Sequence, residues 1–347
     1  MVLFLQTAIR MALNFYLQKI YDNQPLTEAE AAAACEFLMQ QELGTPIAGA
    51  FLMALAFRGE TVEELVGMAL NMRKHTTPLA NTPTCCDIIS GGTRDVAAGV
   101  VLGAALVMAT AGVNVAKLLT PASVTGTTRL PDVRSVAAAI GLVPAGSPES
   151  SAAALTKASL TLIDPADYVE NLRTIRGHQE SLPIPTAFDR LMPLSHPVTL
   201  GSVLLGVGPI ITAVPLAQAL RRLRLPRALV LATQSGACPF SHTGPMDLVE
   251  LSGGRITQDQ IQAADFGFDL ATTENIATAD TEKQGAWLRA LIDGRDSLLK
   301  NPVIWAGALG LYAAGAAETL PAAITKARET VTSGRMAGVL ALASRTA

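Results

Sequence analysis

The sequence predicts an α/β fold, with a small N-terminal helical domain and a larger α/β domain that has a mostly parallel central sheet and surrounding helices. Up to about Pro78 the chain shows helical capping patterns. From Cys86 onward, short β-branched runs alternate with stretches of helical length, as in parallel strands joined by crossover helices. The 347 residues, 50% of them apolar, suffice for two domains.

The N-terminal helices are indicated by their first residues. Thr27 and Glu30 have the spacing of a capping box, in which each side chain bonds the backbone N–H of the other. Pro46 is suited to the first position of a second helix, and Thr61 caps a third. The predicted division is a helical domain at 1–78, joined in space by about 165–185, and an α/β domain at 79–164 and 186–347.

Short apolar runs give the predicted strands of the sheet, which are Asp87–Ile89, Asn114–Ala116, Leu160–Ile163 and Arg227–Leu231. The sequence Ser252-Gly253-Gly254-Arg255 predicts a turn between two further strands. The chain is expected to close with helices at 284–292 and 302–317.

Two stretches without charged residues, Val96–Val113 and His196–Leu220, have the length of a membrane span. The first is flanked by a turn and a strand signal, and the second is interrupted by three prolines. A helix buried inside an α/β domain has the same composition, and we expect no membrane association. With no secretory signal and no paired cysteine spacing, a cytoplasmic location is expected.

The charge balance argues against nucleic-acid binding. The formal net charge is −3, and only 16% of residues are charged. Nucleic-acid sites need clustered Lys and Arg to neutralise phosphates. The short arginine cluster at 221–227 is interpreted as a solvated helix end.

A candidate phosphate site follows the first predicted strand. Glycines let the backbone approach a ligand, and the next helix offers N–H groups at its N-terminus. Arg94 is a fork-shaped cation beside this turn, and Lys117 lies at a strand end, where open parallel sheets bind ligands. Ordinary turn chemistry and a surface lysine are the alternatives. The candidate residues are Ser90, Gly91, Gly92, Thr93, Arg94, Asp95, Lys117, Thr120, Ser123, Thr125 and Arg129.

Several segments resemble the anthranilate phosphoribosyltransferase family and its nucleoside phosphorylase relatives. Gly49–Leu55 with Arg58–Leu65 is similar to the family's helical domain, Leu191–Pro197 to its LGPLTNP motif, and Ser241–Pro245 to SLTGP. The resemblance spans essentially the whole chain. It implies a homodimer through the helical domain, a phosphoribosyl pyrophosphate site between the domains, and Mg²⁺.

The family's polar motifs are altered in this chain. Its DIVGTGGD loop is one residue longer here, and Gly99–Leu102 replaces its Asn-Ile-Ser-Thr. Its Mg²⁺-binding Asp-Glu pair falls on Cys238 and Pro239, which do not supply the oxygen ligands that Mg²⁺ prefers. Its acceptor-binding arginine falls near Gln179, with His178 or Arg176 as substitutes.

We therefore expect a diverged pentosyl- or phosphoribosyltransferase that acts on a phosphorylated sugar donor and a small aromatic or nitrogenous acceptor. We do not expect ordinary Mg²⁺-dependent anthranilate phosphoribosyl transfer. The alternative is a non-catalytic family member that senses a ligand or associates with a protein. Cys238 and His242 are close enough in sequence to pair for nucleophilic catalysis, but the spacing is not a specific motif and a structural role is the favoured interpretation.

Overall fold

The computed structural model describes the chain except for residues 1–12, 41–45, 92, 94–96, 120–123, 126–127, 173–175, 177–181, 183, 209, 242–243, 270–275, 277 and 347. The N-terminal part is a helical bundle. Its helices are 13–21, Glu28–Gln40, Pro46–Arg58 and Val62–Lys74.

The predicted helix starts in this bundle are confirmed. Thr27 N–H donates to Glu30 Oε2 at 2.9 Å, and Glu30 N–H donates to Thr27 Oγ1 at 3.3 Å. Thr61 forms a capping box with Glu64, and Pro46 is the first described residue of its helix. Local side-chain chemistry therefore sets the starts at Thr27 and Thr61.

In the described part of the chain, seven strands form one sheet in the order β5-β2-β1-β6-β7-β8-β9. The pairs from β5 to β7 are parallel, while β8 and β9 are antiparallel. The strands are β1 (Cys85–Gly91), β2 (Val115–Leu118), β5 (Leu160–Ile163), β6 (Leu200–Val207), β7 (Arg227–Ala232), β8 (Met246–Ser252) and β9 (Arg255–Ile261). A separate hairpin consists of β3 (Val124–Thr125) and β4 (Thr128–Arg129).

The sheet is covered on both faces. Alternate residues of its central strands enter two hydrophobic clusters: Ile88 and Leu204 face one, and Ile89 and Leu205 face the other. The longer covering helices are Ala98–Thr110, Pro148–Ala158, Ala213–Arg222, Thr281–Ile292, Lys300–Ala313, Leu320–Thr332 and Met336–Thr346. A sheet buried on both faces explains the apolar, non-alternating strands of the sequence.

Strand β6 was not among the strands predicted from the sequence. The charge-free stretch His196–Leu220 contains β6, a short 3₁₀ turn and most of the helix Ala213–Arg222. A fully buried parallel strand and a buried helix have the same hydrophobicity, so composition alone did not separate them. Among the described residues, no helix is long and apolar enough to span a membrane.

Residues after β5 contact the helical bundle. Thr76 pairs with Val169 as an isolated bridge, and Thr77 N–H donates to Tyr168 O at 2.7 Å. His75 lies 2.6 Å from Glu36 and 3.4 Å from Glu170, so its ring links three segments. The exact division into domains remains a proposal.

Candidate functional site

The sheet reverses its direction of winding between β1 and β6. From β1 the chain continues outward to β2 on one side, and from β6 to β7 on the other. Ser90 is paired with Gly206, and Gly91 with Val207, at the carboxyl ends of the two strands. Open α/β sheets bind ligands in the crevice at such a reversal, which makes this edge the candidate site.

Three polar side chains meet beside this crevice. Ser90 Oγ lies 2.7 Å from Thr93 Oγ1 and 3.6 Å from Cys238 Sγ. Ser90 and Thr93 were predicted as site residues, and the fold brings Ser90 against the loop that follows β7, with Thr93 hydrogen-bonded to Ser90. The loop can lie this close because Gly206 has no side chain: an added Cβ would be only 2.9 Å from Pro239 Cγ.

The N-terminus of the following helix is occupied by a side chain. Gly99 N–H donates to Gln284 Oε1 at 2.9 Å, and Gln284 Nε2 donates to Ala279 O at 3.0 Å. Gln284 is fully buried. The expectation that this helix offers free N–H groups to an anion is therefore wrong for Gly99, because its N–H already donates to Gln284 of the helix Thr281–Ile292.

Lys117 is wholly buried at the end of β2. Its Nζ lies 3.6 Å from Asp87 Oδ1 and donates to the carbonyl oxygen of Leu118. Burial lowers the pKa of the Lys117 ammonium, and the charge of Asp87 opposes this shift. Its contacts serve the interior of the sheet, and its role in donor binding stays a prediction.

Asp87 also orders its surroundings. It accepts from the backbone N–H groups of Ile88 at 2.7 Å and Leu118 at 3.0 Å. His196 Nε2 lies 3.5 Å from Asp87 Oδ2 and 3.1 Å from Ala116 O, while His196 Nδ1 accepts from Val198 N–H at 3.2 Å. This pattern places a proton on Nε2 and makes His196 a structural link between β1, β2 and the start of β6.

A cluster of two arginines and one aspartate lies at the ends of β2 and β5. Asp164, directly after β5, pairs with Arg134 and Arg176, the latter at 2.9 Å. Arg176 also donates to Leu119 O at 3.4 Å. Burial raises the pKa of Asp164, but the Ala166 N–H and the two arginines outweigh it, and the net pKa is lowered. The sequence signal for this cluster is Asp164, a charged residue directly after the predicted strand Leu160–Ile163.

The residues aligned with the family's metal-binding pair do not fit Mg²⁺. Cys238 is 1% exposed and packs against Ser90, and Pro239 has no side-chain donor. A thiol is a soft ligand, whereas Mg²⁺ takes oxygen. Among the described residues, no group of three or more His, Cys, Asp or Glu is placed to hold a metal ion.

Of the other predicted site residues, some lie within the described ranges and some outside them. Thr125 and Arg129 lie on β3 and β4, where Val124 pairs with Arg129 and Thr125 with Thr128. Gly91 ends β1. The predictions for these residues stay open, and the predicted residues outside the described ranges are Gly92, Arg94, Asp95, Thr120, Ser123, His178, Gln179 and His242.

The comparisons with known proteins agree with this architecture. The helical bundle domain of the glycosyl transferase family matches residues 15–76, and the a/b domain of that family matches residues 82–337. Anthranilate phosphoribosyltransferase of Methylobacterium radiotolerans is 32% identical, with 94% of both chains covered. That of Parvibaculum lavamentivorans is 31% identical, again with 94% of each chain covered.

Solved structures give the same result. The anthranilate phosphoribosyltransferase of Thermus thermophilus superposes with a TM-score of 0.80 and 26% identity, covering 95% of this chain and 98% of that one. The Saccharomyces cerevisiae enzyme in complex with PRPP (phosphoribosyl pyrophosphate) and Mg shares the fold at a TM-score of 0.77 and 17% identity, covering 96% of this chain and 97% of that one. The chain therefore belongs to the glycosyl transferase family that includes the anthranilate phosphoribosyltransferases.

Proposed function

We propose that the protein transfers a pentosyl group from a phosphorylated sugar donor to a small aromatic or nitrogenous acceptor at the carboxyl edge of β1 and β6. The observation that carries this proposal is the strand reversal between β1 and β6, in a chain that matches its family along nearly its whole length. Phosphoribosyl pyrophosphate is the donor class to test first, since it is bound in the yeast structure.

The leaving group needs positive charge. Pyrophosphate departure depends on neutralisation by metal or by fixed cations. Since Cys238 and Pro239 do not offer the usual metal ligands, Arg94 in the glycine turn is the candidate cation, because a guanidinium binds phosphate through two parallel hydrogen bonds.

The acceptor is expected to carry a carboxylate. Asp164 is shared by Arg134 and Arg176, so the cluster holds one more positive than negative charge. Arg176 lies beside Leu119, at the carboxyl end of β2, with its side chain 24% exposed. An acceptor carboxylate pairing with Arg176 supplies the missing negative charge.

Donor binding is tested by calorimetric titration of the protein with phosphoribosyl pyrophosphate, with and without Mg²⁺. We expect binding to the wild type, a loss of at least tenfold in affinity in Arg94→Ala, and no change in Arg255→Ala, an exposed arginine on the distant edge strand β9. Absence of heat from the wild type under both conditions refutes a donor site and leaves the alternative of a non-catalytic scaffold.

Transfer itself is tested by following the loss of acceptor fluorescence, with anthranilate as the first acceptor because the relatives carry its name. Arg176→Met is expected to raise the KM for a carboxylate acceptor while leaving the affinity for the donor unchanged. Equal KM values in Arg176→Met and the wild type contradict the role of Arg176.

We further propose that two copies associate through the helical domain. Its helices 13–21 and Pro46–Arg58 expose large apolar side chains: Phe57 at 94%, Tyr21 at 82% and Phe15 at 58%. Exposed aromatic side chains of this size are enriched at protein–protein interfaces. Sedimentation of the wild type is expected to give a dimer, and Phe57→Lys a monomer; a monomeric wild type refutes the proposal.

A further inference from the structure

A cavity of about 450 Å³ lies at the opposite edge of the sheet from the candidate site. It is bounded by the end of the helix Val62–Lys74, the segment before β6, and the end of the helix Ala213–Arg222. β6 has eight residues and rises about 3.3 Å per residue, so roughly 25 Å separates the two edges. The cavity is therefore distinct from the proposed transfer site.

Two arginines line this cavity. Arg73 Nε donates to Leu194 O at 2.7 Å, which fixes the guanidinium while its two terminal nitrogens make no hydrogen bond to the part of the chain that the structure describes. The side chain of Arg224 has no hydrogen bond or ion pair with any described residue. Both arginines are exposed enough to meet a ligand.

The neighbouring Arg222 differs from Arg224 in having carboxylate partners. Arg222, two residues before Arg224, pairs with Glu28 at 2.6 Å and with Glu63 at 3.1 Å, and so joins the helix Ala213–Arg222 to the helical bundle. The arginine cluster that the sequence suggested to be a solvated helix end is therefore divided: Arg222 holds two carboxylates, and Arg224 faces the cavity without one.

The remaining walls are mixed: leucine side chains give apolar surface, while Thr76, His196 and Thr199 add polar groups. Leucines come from both sides of the cavity, and no aspartate or glutamate is among its lining residues. Small-molecule sites combine apolar surface with a few polar groups that fix the orientation of the ligand, and the leucines and the two arginines supply both here. The leucines in question are Leu200, Leu220, Leu223 and Leu225.

We propose that this cavity binds a small aromatic carboxylate, with the ring against the leucines and the carboxylate on Arg73 and Arg224. Guanidinium groups bind carboxylates through paired, charge-assisted hydrogen bonds, which gives the site its selectivity for a planar anion. The ligand contacts Arg73 from the helical bundle and Arg224 from the α/β part, so its binding stabilises the contact between them. This inference does not depend on the transferase activity.

The test uses 2-naphthoate as the probe in a calorimetric titration of the full chain. The wild type is expected to bind it, and Arg224→Asn to bind it at least tenfold more weakly. Asparagine is chosen because position 224 has a φ of 64°, which asparagine tolerates. The matched control is Arg221→Asn, an exposed arginine of the same helix end that does not line the cavity, and its affinity is expected to equal that of the wild type.

Two further measurements separate the outcomes. The uncharged 2-naphthol is expected to bind at least tenfold more weakly than 2-naphthoate, and excess phosphoribosyl pyrophosphate is expected not to displace 2-naphthoate. No binding to the wild type, equal affinity in Arg224→Asn, or displacement by phosphoribosyl pyrophosphate would each overturn the proposal. Circular dichroism of Arg224→Asn verifies that a lost affinity does not come from lost folding.

Discussion

Replacing Gly67 by alanine tests how closely two helices of the bundle must approach. Gly67 lies in the helix Val62–Lys74, which packs on Glu28–Gln40. An added Cβ would lie 2.1 Å from the carbonyl oxygen of Glu28 and 3.1 Å from Ala31 Cβ. The carbonyl oxygen belongs to the backbone and has no rotamer to change, so the helices must separate by about 1 Å to restore ordinary contact.

Two opposing contributions set the magnitude. Alanine favours a helix interior over glycine by about 1 kcal/mol, whereas overpacking a tight interior costs about 1–3 kcal/mol. The backbone contact at Gly67 is severe, so we expect the upper end of that cost and a net loss of about 1–2 kcal/mol in the free energy of unfolding.

Gly49→Ala is the matched control. Gly49 lies in the helix Pro46–Arg58, and no atom of the described residues lies within 4 Å of its added Cβ, so only the helical gain of about 0.5–1 kcal/mol remains. Urea denaturation followed by circular dichroism measures both variants, as a shift in midpoint at unchanged slope. The two midpoints are expected to move in opposite directions. A Gly67→Ala midpoint at or above that of the wild type would refute the close approach.

Three further predictions concern buried or partly buried polar groups. Glu60→Gln leaves the buried Arg190 guanidinium without its carboxylate and should lower the free energy of unfolding by about 3–5 kcal/mol. The double change Glu60→Leu/Arg190→Met should recover most of that loss in urea denaturation. A double variant as unstable as the single would contradict this. Gln284→Leu removes the acceptor for Gly99 N–H and should cost about 1–3 kcal/mol, with Gln284→Glu intermediate; an unchanged melting temperature in Gln284→Leu would exclude a capping role. Partial burial lowers the pKa of His75, but its two glutamate partners outweigh burial, and the net pKa is raised. The stabilisation by His75 is therefore complete below its ordinary pKa of 6.5 and is lost as the pH rises through the higher folded-state pKa. The difference in unfolding midpoint between the wild type and His75→Asn should therefore shrink as the pH rises through that range, and a difference independent of pH would speak against the ion pairs.

The sequence predicted the secondary structure well wherever a local signal exists. The strand at Leu160–Ile163 was predicted with its observed bounds, and the hairpin turn at Ser252–Arg255 lies between β8 and β9 as expected. Capping side chains act on their own helix, so Thr27 and Thr61 identified helix starts without tertiary information. β6 was missed because a strand buried on both faces has no alternation to show.

The candidate site was only partly predictable. Ser90 and Thr93 were identified because glycines adjoin them, and the fold places Ser90 against both Thr93 and Cys238. Gln284 was not identified, because it lies 185 positions from the Gly99 N–H it accepts from. Arg176 was named only as a substitute, and its pairing with Asp164 depends on where the chain returns after β5.

The sequence by itself determined the helix starts, most strands and the family, since these follow from local side-chain chemistry and from motifs spread along the chain. Only the tertiary structure decided which polar groups are available to a ligand. Sequence position left Lys117 as either a ligand-binding cation or a surface lysine, and the packed sheet, which encloses it with Asp87, excludes the surface lysine. Arg222 and Arg224 look alike in sequence, but two glutamates of the helical bundle reach Arg222, while Arg224 faces the cavity. Availability depends on contacts between distant segments, and sequence spacing does not encode those contacts.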